Sequence, residues 1–311
     1  MRKSEFGFVF GSSRPVTVCE TSNLSPLDSA SRAPVTQIPP AQFDVAAGSI
    51  GLSRSLKRTE FLGVPLDCHS IAEAVDLAAA AMRNRQRLQH GDVNVAKFVS
   101  FKSDPELRRY TAESDVICVD GMGIVWGCRL LGIKVPERVT GIDYMMQILE
   151  VCAREGFRPY FLGAKQDVLE ETIAEVRRRH PALELAGWRN GYFRQDDEAG
   201  IVADIKAARA DCIFVGISSP MKERFLNRYR DALGVPVQLG VGGSFDVLAG
   251  RVLRAPLWIQ RAGFEWLWRL AQEPRRLAWR YATTNAQYIA LVAVAVLRRV
   301  PPKRLLEQES A

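Results

Sequence analysis

The stretch RPYFLGAKQDVLEETIAEVRRRH, residues 158–180, decides the fold. Its first half is a short apolar run that ends in glycine. Its second half repeats apolar residues at helical spacing and closes on arginines. A continuous apolar strand followed at once by an amphipathic helix is half of a parallel βαβ unit, because strands covered on both faces lose the alternation of a half-exposed strand. The same pattern recurs outward in both directions. Upstream lie FLGVPLDC (61–68), read as a strand, and SIAEAVDLAAAAMRNR (70–85), a helix opened by the capping pair Ser70 and Glu73. The apolar run DVNVAKFV (92–99), a helix opened by Asp104 and Pro105, and the strand DVICVD (115–120) follow, and GIDYMMQILEVCAREG (141–156) forms a further helix. Downstream, LELAGWRNGYF (183–193) reads as a strand and turn. DEAGIVADIKAARA (197–210) is a helix, DCIFVGI (211–217) a strand, PMKERFLNRYRDAL (220–233) a helix and VPVQLGVGG (235–243) a strand. The expected class is α/β, with a Rossmann-like, mainly parallel sheet flanked by helices.

Composition divides the chain into three parts. Residues 1–57 are rich in Ser, Pro, Thr and Ala without a sustained period and are expected to be a disordered leader. Residues 58–254 hold the strand–helix repeats. Residues 255–311 contain helical patches only and form a basic helical appendage. From Arg251 to Ala311 there are eleven Lys/Arg against four Glu, a surplus that accounts for the whole net charge of +7. Four of the six tryptophans (Trp258, Trp266, Trp268, Trp279) fall in the same tail. Arginine attracts anionic headgroups and tryptophan prefers their depth, so a membrane surface is the first partner to consider. Nucleic acid is not expected as a partner, since no recognition motif accompanies the charge. FGFVF (6–10) is too short for a signal-peptide core, and the apolar run Tyr288–Leu297 is about half of a membrane span. The expected location is therefore cytoplasmic, peripherally attached to the inner membrane. Such a tail is compatible with a monomer or a homo-oligomer.

Ligands of parallel α/β sheets bind beyond the carboxyl ends of strands. Those ends carry VDGMG (119–123), LGAKQD (162–167), GISSP (216–220) and GVGGSFD (240–246). Asp120 closes an apolar strand before Gly121 and is a candidate general base; the alternative is an N-cap for the helix that follows. Arg138 precedes Gly141 and Asp143, and its planar fork suits a diphosphate; the alternative is a surface ion pair with Asp143 or Glu137. The turn with Gly242, Gly243 and Asp246 offers backbone amides to a phosphate. Trp266 and Trp268 read equally as core packing. Neither the three histidines nor the six cysteines have metal-ligand or redox spacing, so no metal is expected and the thiols suit a reducing compartment. P-loop, dinucleotide-fingerprint and nucleophile-elbow motifs are absent, which argues against kinases, ATPases, serine hydrolases and a nucleotide-sugar dehydrogenase.

Taken in order, VDGMGIVW (119–126), RVTGIDYM (138–145), FLGA (161–164), GYF (191–193), DCIFVGISSPMKE (211–223) and the long run from Gly240 to Arg276 resemble the WecG/TagA/CpsF glycosyltransferases, glycosyltransferase family 26. The resemblance covers about Phe61 to Tyr281. It implies a bacterial enzyme of exopolysaccharide or cell-surface polymer synthesis. Such an enzyme moves a sugar from a UDP-sugar to a polyprenyl-diphosphate-linked sugar with inversion, and needs no cofactor or metal. By the same likeness Asp120 is the base, Arg138 handles phosphate and Asn94 contacts the donor. Gly121, Gly141, Asp143, Lys222, Glu223, Gly242, Gly243 and Asp246 fall in the donor region. Arg254, Arg261, Arg269, Arg275 and Arg276 would face the lipid diphosphate. The chain departs from the family pattern twice. Gly-x-Pro-x-Gln-Glu is here Ser218-Ser219-Pro220-Met221-Lys222-Glu223, and Asp92 and Val93 precede Asn94 where a threonine is common. These changes widen the expected donors from N-acetylmannosamine to glucose or a uronic acid. A non-catalytic membrane-docking component of a polysaccharide assembly complex is the rival reading.

Overall fold

The computed structural model describes residues 57–298, so the expected leader lies outside the described residues except for Lys57. The chain opens with an antiparallel hairpin of β1 (Arg58–Phe61) and β2 (Val64–Asp67). FLGVPLDC is thus not one strand: Leu62 and Gly63 both take positive φ and reverse the chain. A six-stranded parallel sheet follows, built from β3 (Leu88–Val93), β4 (Val116–Val119), β5 (Pro159–Gly163), β6 (Gly187–Arg189), β7 (Cys212–Gly216) and β8 (Val237–Gly240). Its order is β4-β3-β8-β7-β5-β6, with every pair parallel. The central neighbours β3 and β8 belong to opposite halves. The chain leaves β3 toward β4 and reaches β8 from β7. That reversal opens a crevice beyond their carboxyl ends.

Alternation along each strand assigns the two faces. Val116 and Cys118 of β4, Phe161 of β5, Cys212 and Phe214 of β7 and Val237 and Leu239 of β8 share one core. That core also takes up the apolar faces of α1 (Ile71–Arg83), α5 (Gly141–Glu155), α6 (Gln166–Arg179) and α9 (Ser244–Leu248). The other face is divided. Tyr160, Leu162, Ile213 and Val215 pack under α7 (Glu198–Ala207) and α8 (Met221–Arg228). Ile117 and Val119 pack under the hairpin, α2 (Val95–Ser100) and α4 (Met122–Leu130). A further helix, α3 (Pro105–Ala112), is capped by Asp104 as expected, and α1 carries the expected capping box of Ser70 and Glu73. The hairpin also guards the edge strand. Asp67 accepts both Arg58 and the backbone N–H of Ile117, at 2.7 Å each, and so occupies a donor that an exposed edge would leave open.

Beyond β8 come α10 (Leu257–Ala262), α11 (Glu265–Gln272) and α12 (Pro274–Leu297), helical as expected. They are less detached than an appendage. Tyr288 and Val292 of α12 join the core under the hairpin. The Tyr288 hydroxyl donates to the Gly123 carbonyl at 2.9 Å, and its ring meets Phe98 edge-on at 5.7 Å between centroids. This approach needs a bare backbone at Gly127, where a Cβ would run into the Tyr288 hydroxyl and stand 3.0 Å from the Phe61 ring.

Gly127→Ala is therefore expected to cost about 1–3 kcal/mol through overpacking. Tyr288→Phe alone costs about 1 kcal/mol, the worth of its hydrogen bond. In a double-mutant cycle read by urea unfolding, the pair should cost clearly less than the sum of the singles; additive costs would contradict this docking.

Candidate active site

The crevice is occupied by a cavity of about 1040 Å³, within the size range of nucleotide and cofactor sites. Three strand ends build its floor: Asp92 near the end of β3 and Asn94 just past it, Asp120 and Gly121 after β4, and Gly240 at the end of β8 with Gly243 beyond it. Two of the four expected strand ends thus line the cavity, and LGAKQD and GISSP do not. The glycines in those two serve packing. A Cβ on Gly163 would stand 2.5 Å from the Gly216 backbone, and one on Gly216 would stand 2.6 Å from the Phe245 ring. The β3 end was not among the expected ones, because DVNVAKFV reads as a single apolar run. It divides at Asn94, whose side chain caps α2 by accepting the Lys97 N–H at 3.0 Å.

Local hydrogen bonds hold the floor in place. The Asp120 N–H donates to Val93 and the Val139 N–H to Val119, at 2.9 and 2.8 Å. The second bond sets Arg138 beside the end of β4. Gly121, at φ 111, is the N-cap of α4, and Asp120 makes no capping bond, so the N-cap alternative for Asp120 fails. Gly141 begins α5 under a Thr140 cap. The first residues of α4 and α5 both border the cavity, and helix N-termini favour anions.

Beneath the floor lie four charges almost closed to water. Lys97 bridges Asp92 at 2.9 Å and Glu223 at 2.8 Å; Lys222 bridges Asp92 at 3.0 Å and also donates to the Gly240 carbonyl at 3.3 Å. Burial opposes ionisation of Asp92, but Lys222 and Lys97 outweigh it and hold its pKa below the usual carboxylate range. Burial opposes the charge on Lys222 too, and Asp92 and Glu223 outweigh it and raise its pKa. Lys222 borders the cavity, but its ammonium is spent on these partners. Glu223, paired with Lys97 and Lys222, lies outside the cavity lining. The two departures from the family pattern, at Asp92 and Lys222, therefore meet in one ion pair.

Among the described residues three carboxylates line the cavity: Asp92, Asp120 and Glu265. Asp92 is held by two lysines. Glu265, the first residue of α11, is held by Arg138 at 2.7 Å and Arg254 at 3.7 Å. Asp120 alone has no hydrogen bond or ion pair on its carboxylate among the described residues. Burial raises its pKa from 3.8 to about 6, with the Asp92 charge adding to the shift against the pull of Lys222, Lys97 and Arg138. Among the described residues no histidine lines the cavity. His90, buried below against Tyr144, is pushed down to about 3 by burial and is neutral. A carboxylate titrating near neutrality, uncommitted and facing an open cavity, can take a proton from a bound hydroxyl.

The appendage supplies the opposite wall. Arg254, Arg269 and Arg280 line it together with Trp266 and Tyr281. Arg254 also holds Asp143 at 2.6 Å, and Thr140 hydrogen-bonds the same carboxylate at 2.6 Å. Arg138 pairs with Glu265, a partner from the appendage that neither sequence alternative named. Arg269 and Arg280 have no carboxylate partner among the described residues. Several expected residues border no part of the cavity: Asp143, Gly242, Asp246, Arg261 and Arg275. Asp143 is instead the clamp for Arg254. The Arg276 side chain lies outside the described residues. Trp266 is exposed on the cavity wall against Tyr281 at 6.0 Å, not in a core. Asp92, Lys97 and Arg280 were not expected as site residues, Asp92 having been noted only as a departure from the family pattern. The signal for the first two was a charge within an apolar run; that for Arg280 was its helical spacing from Thr284 and Asn285.

A raised carboxyl pKa also leaves a mark on stability. The folded state holds the Asp120 proton more tightly than the unfolded chain does. The resulting stabilisation is complete below about 4 and is lost as pH rises through about 6. Asp120→Asn, which does not titrate, should therefore melt above wild type at pH 8 and level with it at pH 4. An equal offset at both pH values would mean that Asp120 is not desolvated.

Comparison with known proteins gives the family. The profile of the "Glycosyl transferase WecG/TagA/CpsF family" matches residues 59–301. A Bacillus spizizenii protein named N-acetylglucosaminyldiphosphoundecaprenol N-acetyl-beta-D-mannosaminyltransferase is 34% identical over 189 residues, 61% of this chain and 72% of the relative. A Bacillus subtilis strain 168 protein of the same name is 32% identical over 193 residues, 62% of this chain and 72% of the relative. The match spans the sheet, the crevice and the helices that wall it, and the chain belongs to the WecG/TagA/CpsF family of glycosyltransferases.

Proposed function

We propose that this glycosyltransferase moves a sugar from a UDP-sugar to a polyprenyl-diphosphate-linked sugar, with inversion, in the synthesis of a bacterial exopolysaccharide or other cell-surface polymer. The observation that carries the reading is Asp120, among the described residues the one uncommitted carboxylate in a cavity whose walls include arginines, helix N-termini and apolar side chains. The relatives' name specifies an acceptor with a diphosphate and a lipid, and a cavity with cationic and apolar walls suits both parts.

In the proposed reaction the acceptor hydroxyl oxygen attacks the anomeric carbon from the face opposite the diphosphate. The bond from that carbon to the diphosphate oxygen breaks, UDP departs, and the hydroxyl proton passes to Asp120. The charge developing on UDP is met by Arg138 and the N-termini of α4 and α5, which are in place before reaction begins. These groups can do the work a divalent cation does elsewhere, so chelators should leave turnover intact. Asn94 reaches the cavity with its amide nitrogen unpaired among the described residues and contacts the donor. The donor is N-acetylmannosamine, glucose or a uronic acid. The enzyme works from the cytoplasmic side, peripherally on the membrane. Among the described residues no helix is long and apolar enough to cross a bilayer.

Asp120→Asn should lower kcat by about 10²–10⁴-fold while UDP affinity, measured by calorimetry, changes little. Full activity would sink the assignment and favour a base elsewhere. The acid limb of kcat/KM should fall near pH 6, since the base works only when ionised. Asp92→Asn removes the nearby negative charge and should move that limb to lower pH; an unmoved limb would show that Asp120 is not the titrating group.

A further inference from the structure

One face of α12 lines the cavity along most of its length, and its chemistry changes steadily. Arg280 and Tyr281 come first, then Thr284 and Asn285, and finally Ile289, Ala293, Val296 and Leu297. The last four are spaced as a single helical stripe and are exposed, Ile289 at 65% and Leu297 at 82%. From Tyr281 to Leu297 the stripe runs about 24 Å at the rise of an α-helix. Trp126 and Leu130 of α4, the helix against which Tyr288 packs, are also exposed and line the same cavity. Exposed apolar residues from two neighbouring helices gathered on one cavity, together with a cationic head region, mark a binding groove rather than scattered surface. A soluble nucleotide sugar has no apolar part to fill it.

We infer that this arm between α4 and α12 holds the first isoprene units of the acceptor's hydrocarbon tail, while Arg269 and Arg280 meet its diphosphate. The inference rests on the acceptor reading above and extends it: the protein grips part of the lipid itself, so the tail contributes to recognition without a bilayer. Charge complementarity fixes the polarity of the ligand, anion at Arg280 and hydrocarbon toward Leu297. Ala293, the smallest residue of the stripe, leaves room for the branched chain at its centre.

The test uses prenyl, geranyl and farnesyl diphosphate, carrying one, two and three isoprene units, titrated calorimetrically into the full-length protein without lipid or detergent. Kd should fall at least tenfold from prenyl to farnesyl diphosphate. Ala293→Asp should reduce that ratio to about one. Leu291→Asp, on α12 but outside the cavity lining, should keep it. Equal Kd values in wild type, as expected if the stripe only touches a bilayer or a second copy of the chain, would overturn the inference. So would equal loss in both variants. Turnover separates the two levels of the account. Tail-dependent binding with no sugar transfer to any prenyl-diphosphate sugar would leave the groove standing and defeat the acceptor reading.

Discussion

Two lysines and two carboxylates sharing one nearly dry site are the constraint around which the cavity is built. Each charge would be costly alone, since burial of an unpaired ion costs several kcal/mol. Lys97 and Lys222 alternate with Asp92 and Glu223 so that every charge has opposite neighbours. The four come from the end of β3, from α2 and from the start of α8, so the network ties both halves of the sheet together below the crevice. Its net charge is zero. Asp120 adds a fifth acidic group with no partner of its own among the described residues, and that imbalance leaves it free to take up a proton where Asp92 and Glu223 are held as struts. The stability forgone at Asp120 is the counterpart of its reactivity.

The helical segment beyond β8 is part of the same cavity. Glu265 links Arg138 on the sheet side with Arg254 on the appendage side, and Asp143 clamps Arg254 to the start of α5. Two cationic residues are thereby held in fixed positions before any ligand arrives, while Arg269 and Arg280 remain for an anion. Farther along, Tyr288 anchors α12 through the Gly123–Gly127 face of α4. One helix thus serves as core at Tyr288 and Val292 and as cavity wall at Ile289 and Ala293. The chemistry of the wall is set by the turn-by-turn rotation of the helix.

The parallel sheet was legible because its strands are short apolar runs followed by amphipathic helices, and Asp120 was legible because a charge ending such a run sits where these sheets bind ligands. The helical character of the last segment was equally plain. What could not be read were the pairings across distant sequence. Arg138 had two local carboxylates to choose from and took Glu265 instead. Asp143 and Glu223, expected in the donor region, are paired with Arg254 and with Lys97 and Lys222, partners distant in sequence or invisible in a local reading. Asp92 and Lys222 lie 130 residues apart, and only the sheet order brings β3 next to β8 and makes them partners. The hairpin at Leu62 and Gly63 escaped because an apolar run with one glycine reads as a strand until the positive φ values are seen.

The Asp92–Lys222 pair stands where the family pattern is broken, and its charges act on Asp120. The central claim is transfer from a nucleotide sugar to a lipid-linked acceptor by a base that acts without a cation. The most direct measurement is UDP release from a panel of UDP-sugars with a synthetic polyprenyl-diphosphate-sugar acceptor and EDTA present. The account predicts acceptor-dependent release from one donor, undiminished by the chelator. Absence of release from every donor, with magnesium or manganese restored, would contradict it and favour a docking component of a larger assembly.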